Sequence, residues 1–276
     1  MPQEALRTIS YKTGHTGRRA LLCILLGAAI LAVSLRVEKR LGIPLPFTFT
    51  LPTKTEAGNQ GDTTRQSREL SLSAHTLYAL QLGAFTQEDA ARQLAQEFSG
   101  RGAAGYVLCD GGTYRVLAAA YPTRSEAQAV QTRLSGQNIS TYIHPCVQEA
   151  ISLRAGGQAR QVAAVEEALR YLDGLGGKLH TLSSSLDSRE RSAAEARDAL
   201  LSEGATCAGL RQKLLTAFDG ALPDALRPLE TLFIQAEDAA EAARNENSAA
   251  RVGAALKKCQ LTVFFGLDAF TQALRG

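Results

Sequence analysis

An internal repeat is the feature that most constrains the fold, because residues 77–146 match themselves after a shift of 36 positions without a gap. Matched positions keep their character, as in the pairs Tyr78 and Tyr114, Leu80 and Val116, Phe85 and Tyr121, Leu94 and Val130, and Tyr106 and Tyr142. Each half changes from strand-like alternation to helix-like spacing and back, which a helical repeat array would not do. The repeat therefore predicts two βαβ halves in the order βαββαβ, a split-βαβ fold of the α+β class.

This order predicts a four-stranded antiparallel sheet with two helices on one face. Apolar residues at helical spacing from Ala91 to Phe98 indicate the first helix, and residues 125–134 indicate the second. The Asp110-Gly111-Gly112 run is typical of a tight turn between two strands. The first strand of each half is expected to be central, with the short strands at the edges. Cys109 and Cys146 then lie on opposite edges, too far apart for a disulfide.

Strand alternation sorts the side chains between the two faces of this sheet. The side chains expected to face the helices are Leu80, Leu82, Val116 and Ala118. The open face would have a floor of small residues that includes Ala79 and Gly83. Around it would lie six candidate glycan-binding side chains, namely Gln81, Arg115, Tyr106, Tyr142, Leu117 and His144. Phenol rings with amide and guanidinium donors suit a sugar chain, but a solvated sheet face also carries such residues, so the pattern leaves both interpretations open.

The same residues resemble a known family. The resemblance rests on four ordered segments, namely Tyr78-Ala-Leu-Gln-Leu-Gly-Ala-Phe85, a helix that begins Glu88-Asp89-Ala90, the hairpin Asp110-Gly111-Gly112-Thr113-Tyr114-Arg115-Val116, and Ser125-Glu126-Ala127. Together they are similar to the SPOR (sporulation-related repeat) domain over about 70 residues. The resemblance implies a four-stranded sheet backed by two helices, built from two such halves. It also implies binding to peptidoglycan glycan strands stripped of their stem peptides, mostly at division septa, with Gln81 as the strand glutamine of the binding face.

Two departures from the family pattern fall on this region. Ala84 stands where members often have a polar residue, and Ala119-Ala120-Tyr121 replaces a frequent Gly-Pro-Phe. The fold prediction is unchanged by them, and the strength of glycan binding becomes the property to measure.

An apolar segment near the N-terminus predicts a membrane anchor. Ala20–Leu35 has no charged residue and is flanked by basic residues on both sides. It is shorter than the about 20 residues that span a bilayer core, but flanking Arg and Lys side chains can reach the interface and extend the span to residues 20–37. The alternatives are a cleaved signal peptide, with Ala32-Val33-Ser34 as its cleavage site, and a buried core helix. We expect a cytoplasmic tail at 1–19 and a single-pass bacterial membrane protein whose bulk is extracytoplasmic.

The remaining regions are a predicted linker and a predicted helical domain. Residues 38–76 carry three prolines and then a polar run, which indicates a linker with a short extended piece near 44–52. Residues 147–276 are rich in Ala and Leu, and their leucine spacing from 165 to 186 predicts a small bundle or a coiled-coil hairpin.

Further signals divide this helical domain. Asp187 with Glu190 predicts a capping box at the start of a second helix, which ends at Asp219-Gly220. Pro223 and Pro228 indicate a third segment, and residues 245–248 a break before the last helix. Exposed Phe264, Phe265 or Phe270 would favour a surface for a protein partner or self-association. Cys207 and Cys259 are more typical of buried thiols than of a disulfide.

Charge and composition exclude several functions. The net charge is +5 over residues 1–76, zero over 77–146 and −2 over 147–276, so no folded region has the basic patch that nucleic acid requires. No CxxC pair and no histidine pair has metal-ligand spacing, and no nucleophile-base set is evident. We therefore expect no cofactor, no metal and no enzymatic activity.

These observations predict a membrane-anchored, non-enzymatic protein that binds peptidoglycan glycan strands in cell division or sporulation. The alternative is a scaffold protein whose helical region recruits a partner or self-associates, with a degenerate SPOR domain as a spacer.

Overall fold

The structure is a computed structural model that describes residues 47–50 and 65–275, with the backbone alone described for 47–50. The predicted cytoplasmic tail, the anchor at 20–37 and most of the linker lie outside these residues. Among the helices of the described part, none is long and apolar enough to cross a membrane.

Seven strands and six α-helices make up the described chain. The strands are β1 (Phe47–Thr50), β2 (Arg65–Leu72), β3 (His75–Phe85), β4 (Tyr106–Asp110), β5 (Thr113–Tyr121), β6 (Tyr142–Gln148) and β7 (Ile151–Gln158). The helices are α1 (Glu88–Ser99), α2 (Arg124–Ser135), α3 (Ala159–Asp187), α4 (Ala193–Ala217), α5 (Arg227–Ala243) and α6 (Ala249–Arg275), with a 3-10 turn at Asp224–Leu226.

Residues 75–148, which we call the repeat domain, form the predicted split-βαβ sheet. Its strand order is β4-β5-β3-β6 and every neighbouring pair is antiparallel, so the long strands are central and the short strands are edges, as predicted. Cys109 and Cys146 lie on the two edge strands and are free thiols. Helices α1 and α2 cover one face, where Leu80, Val116 and Ala127 are fully buried.

Two bulges interrupt the alternation of the central strands. The pairing of β3 with β5 shifts once past Ala118 and once past Leu82, so each bulge places two consecutive side chains on the helix side. A Cβ added to Gly83 would lie 2.9 Å from the Phe85 ring and 3.1 Å from Leu94. The prediction that Gly83 faces away from the helices is therefore wrong, because strict alternation fails across a bulge.

Residues that were predicted to belong to the linker and to the helical domain form a second sheet, with the order β1-β7-β2. Strand β1 pairs in parallel with β7, and β2 pairs with it antiparallel. The extended piece predicted near 44–52 is confirmed by β1. Strand β7 alternates regularly, with Ile151, Leu153 and Ala155 buried and the intervening residues more exposed. Strand β2 has only Leu70 and Leu72 as apolar residues, so its local signal is weak.

Helices α3–α6 form a four-helix bundle on which the second sheet packs. We call residues 65–72 and 151–275 the helical unit. The predicted leucine stripe lies in α3, and the predicted stop at Asp219-Gly220 is confirmed by two residues with positive φ. The capping box is at Ser192 and Glu195 rather than at Asp187 and Glu190. Asp187 cannot cap the next helix, because it is the last residue of α3, which runs for 29 residues from Ala159.

Helix α6 packs against both the bundle and the repeat domain, because it is buried on two sides. One face lies in the bundle core and includes Val252, Leu256, Cys259, Val263, Leu267 and Phe270. The other face packs on the repeat-domain sheet, on the side away from α1 and α2. We call this side of the sheet the outer face.

Candidate functional site

Four of the six predicted glycan-binding residues form one row across the outer face. Tyr106 pairs with Leu117, Leu117 with Gln81, and Gln81 with Tyr142, so the row crosses all four strands. Neighbouring strands are about 4.8 Å apart, and the row is therefore about 14 Å long. The bulges preserve this row, because Gln81 and Leu117 share one face between the two register shifts.

Arg115 and His144 flank the row on either side. Arg115 pairs with Ala84 on β3, and His144 pairs with Ala79 on the same strand. The structure thus brings all six predicted residues to the outer face, which follows from the antiparallel pairing that the repeat predicts. Ala84 contributes only a methyl group beside Arg115.

A hydrogen-bonded chain holds the polar centre of the site. Arg115 Nη1 donates to Gln81 Oε1 at 3.2 Å, and Arg115 Nε donates to Asp110 Oδ2 at 3.3 Å. Asp110 belongs to the β4–β5 hairpin, so the tight turn positions the carboxylate that orients the guanidinium. The arrangement occupies the oxygen of the Gln81 amide and leaves its NH₂ group as a donor for a ligand.

His144 and Tyr142 form the accessible side of the site on β6. Tyr142 is 62% exposed, which is unusual for a large aromatic side chain. Partial burial, and then the nearby Arg115 guanidinium, lower the pKa of His144 below its ordinary value. At neutral pH the imidazole is therefore uncharged and can both donate and accept a hydrogen bond.

Helix α6 covers the other side of the outer face. Leu117 and Ala79 are fully buried beneath Leu261 and Phe264 of this helix. The Tyr106 ring stacks on the Phe265 ring with centroids 5.4 Å apart. Burial raises the pKa of the Tyr106 hydroxyl. The expectation that the whole outer face is open is therefore wrong, since an apolar interface with α6 covers part of it, from Tyr106 on β4 to Cys146 on β6.

Polar contacts complete this interface. Gln260 Nε2 donates to the carbonyl of Ala120 at 3.4 Å, and Lys257 Nζ donates to the carbonyl of Gly102 at 3.2 Å. Exposed phenylalanines would have favoured a surface for a partner, but Phe264 and Phe270 are buried, at 7% and 1% exposure. The apolar residues that suggested a docking surface are used within the chain.

Sequence reasoning missed the contribution of α6 to this site, although a signal was present. The α6 sequence has apolar residues around most of its circumference, and a helix of this kind is buried on more than one side. In the part of the chain from 65 to 275, no three His, Cys, Asp or Glu side chains lie together so that they could hold a metal ion. The chemistry available on the outer face is hydrogen bonding and aromatic contact.

Comparison with known proteins identifies the repeat domain. A family model described as the SPOR domain matches residues 74–144, which coincide with the repeat domain almost completely. No curated protein and no solved structure matches the chain. SPOR domains bind peptidoglycan in proteins related to cell division and are not catalytic domains. The chain therefore contains a SPOR domain, at residues 74–144.

Proposed function

We propose that the protein is a non-enzymatic binder of peptidoglycan glycan strands that lack stem peptides, acting in cell division or sporulation. Residues 20–37 anchor it to the bacterial membrane, with residues 1–19 in the cytoplasm and the described part outside it. The observation that carries the proposal is the polar group of a SPOR domain, in which Arg115, Asp110 and Gln81 hold one another on the outer face beside Tyr142.

The chemistry of this group supports a sugar ligand that presents many hydroxyl and carbonyl oxygens. The Gln81 amide and the Arg115 guanidinium supply donors for hydroxyl and carbonyl oxygens, and Tyr142 supplies an exposed ring for the apolar side of a sugar. Arg115 is already paired with Asp110, so the site has no unbalanced charge that would favour a strongly anionic ligand. A glycan without its peptides is long, polar and flat enough to lie along such a strip.

Sedimentation with purified peptidoglycan tests the proposal. We expect the full chain to sediment with peptidoglycan and to do so more completely after an amidase has removed the stem peptides. Gln81→Ala and Arg115→Ala should each reduce the retained fraction by roughly three- to tenfold, because each removes hydrogen bonds worth about 1 kcal/mol or more.

Matched substitutions on the opposite side of the domain serve as controls. Gln93→Ala and Arg92→Ala change the same residue types on α1, where both side chains are exposed, and they should leave retention unchanged. A folded wild-type chain that sediments with neither form of peptidoglycan would refute the proposal.

A scaffold role is the second candidate, and one observation favours it. Tyr106 and Leu117, half of the row across the sheet, are used in packing against α6. In that case the SPOR domain is a structural part of a scaffold that recruits a partner through the helical unit. Septal localisation that survives the double change Gln81→Ala and Arg115→Ala would favour the scaffold role over glycan binding.

A further inference from the structure

We propose that helix α6 and the glycan strand compete for the outer face, so that the helical unit is an autoinhibitory cover of the SPOR domain. This inference rests on the proposed function and adds its regulation. In the closed state described here, only the strip of Gln81, Arg115, Tyr142 and His144 is accessible. In the open state, Tyr106 and Leu117 would complete the row across all four strands.

The contact between the two parts is extensive and apolar at its centre. The buried residues at the centre are Ala79, Ala104, Leu117, Ala120 and Cys146 from the repeat domain and Leu261 and Phe264 from α6. The stacked rings of Tyr106 and Phe265 close its outer side. An aromatic ring stacked on Tyr106 occupies the surface on which a sugar ring would otherwise lie. Cover and ligand thus exclude each other over this part of the face.

The repeat domain is joined to the helical unit by two adjacent short connections. Residues 73–74 join β2 to β3, and residues 149–150 join β6 to β7. The connections lie side by side, because His75 pairs with Gln148 in the sheet. Rotation about them would move the repeat domain away from α6 without breaking a strand or a helix, which is the geometry of a hinge.

Two histidine–carboxylate pairs across the interface are weak enough to open. His75 Nε2 lies 2.9 Å from Asp173 Oδ1, and His180 Nε2 lies 3.4 Å from Glu126 Oε2. Each pair joins the repeat domain to α3 and is partly exposed to solvent. Partly exposed pairs contribute little to stability, so they guide closure more than they hold it.

The packing of the interface is also incomplete near the hinge. A cleft of about 280 Å³ lies there between the start of β3, α3 and α6. Gln148 borders this cleft, and its Nε2 atom is buried without a hydrogen-bond partner in the described structure. The closed state is therefore held by apolar contact at the centre of the interface, whereas the packing beside the hinge leaves a cleft.

The native cysteines report on opening without any substitution. Cys146 lies under α6, and burial raises the pKa of its thiol to about 11, so it should react slowly in the closed state. Cys109 is exposed on β4 and should react at once, whereas Cys207 and Cys259 lie in the bundle core and should react only if the bundle unfolds. Cys146 is four residues along β6 from Tyr142, which lies in the row with Gln81, and is therefore about 13 Å from that row. A ligand bound on the row thus leaves Cys146 accessible to the thiol reagent.

The experiment labels the full chain with a thiol reagent and reads each cysteine by peptide mass spectrometry. Saturating glycan strands without stem peptides should accelerate the labelling of Cys146 by about tenfold, since a ligand that prefers the open state increases its population in proportion to that preference. The labelling rates of Cys207 and Cys259 should not change.

A variant of the cover tests the competition from the other side. Phe265→Ala removes the stacked ring and should increase both Cys146 labelling and glycan retention by roughly three- to tenfold. Ile234→Ala is the control, because this apolar side chain on α5 is exposed and lies outside both cores. Adding Gln81→Ala to Phe265→Ala should return retention to a low level. If rapid labelling of Cys207 shows that Phe265→Ala unfolds the bundle, Lys257→Ala replaces it as a milder variant that opens the interface.

The outcomes separate this inference from the proposed function. If wild type is retained by glycan, but glycan leaves Cys146 labelling unchanged and Phe265→Ala does not increase retention, the cover is refuted and the glycan-binding function stands. If opening variants expose Cys146 and no variant is retained, the glycan-binding function is refuted, and the competition with it.

Discussion

The two faces of the SPOR sheet are both covered, but by helices of different origin. Helices α1 and α2 on the inner face come from the repeat itself, within a few residues of the strands they cover. Helix α6 on the outer face comes from the end of the chain, more than 100 residues after the domain. Cover from within the repeat is part of the domain fold, whereas cover from a distant helix can be removed while each strand and helix stays intact.

The chemistry of the two faces agrees with this difference. The inner face buries aliphatic residues among two short amphipathic helices. The outer face combines an apolar half beneath α6 with a polar half that keeps Gln81 and Arg115 in contact with solvent. One face is a core, and the other is shared between a core and a surface.

The largest expected effect concerns Leu117 and Leu80, one from each face and both fully buried. If α6 is packed on the outer face as described, Leu117→Ala should lower the free energy of unfolding by about 2–5 kcal/mol, as much as Leu80→Ala, because both leave a cavity. Urea denaturation measures both values. A loss of less than about 1 kcal/mol for Leu117→Ala, typical of a surface position, would break the comparison by showing that the outer face is open in solution.

A smaller effect is expected on the inner face at Gly105, just before β4. A Cβ at this position would lie 2.6 Å from the carbonyl oxygen of Ala95 in α1, and its φ is +56°. Gly111 has a φ of +54° and no atom within 4 Å of such a Cβ. Gly105→Ala should therefore cost about 1–3 kcal/mol more than Gly111→Ala, because the backbone strain is the same and only the clash differs. Equal losses in urea denaturation would show that α1 does not pack closely on β4.

The smallest effect concerns His144, at the boundary between the two halves of the outer face. Its folded pKa lies below the ordinary value of about 6.5, so the unfolded chain binds a proton more readily. The stability that the neutral imidazole provides is complete above the unfolded pKa and is lost as the pH falls through the lowered folded pKa. His144→Gln should lose less stability than wild type between pH 7.5 and pH 5 in urea titrations. An equal loss in both proteins would mean that His144 is fully solvated.

Much of the SPOR domain could be predicted from the sequence because its signals are local. The 36-residue repeat, the spacing in α1 and the Asp110-Gly111-Gly112 turn together determine the strand order and the face on which Gln81 and Arg115 lie. Gly83 was misplaced because the bulge past Leu82 changes the alternation. A glycine inside a strand pattern is a signal for a bulge, and the assumption of strict alternation ignored it.

The sequence by itself determined the two βαβ halves, the residues of the candidate glycan row and the helical character of the last hundred residues. Only the tertiary structure decided that β2 pairs with β7 and that α6 lies on the outer face. The physical reason is that these contacts join segments far apart in the chain. An apolar helix such as α6 carries in its own pattern the requirement to be buried, but not the identity of the surface that buries it.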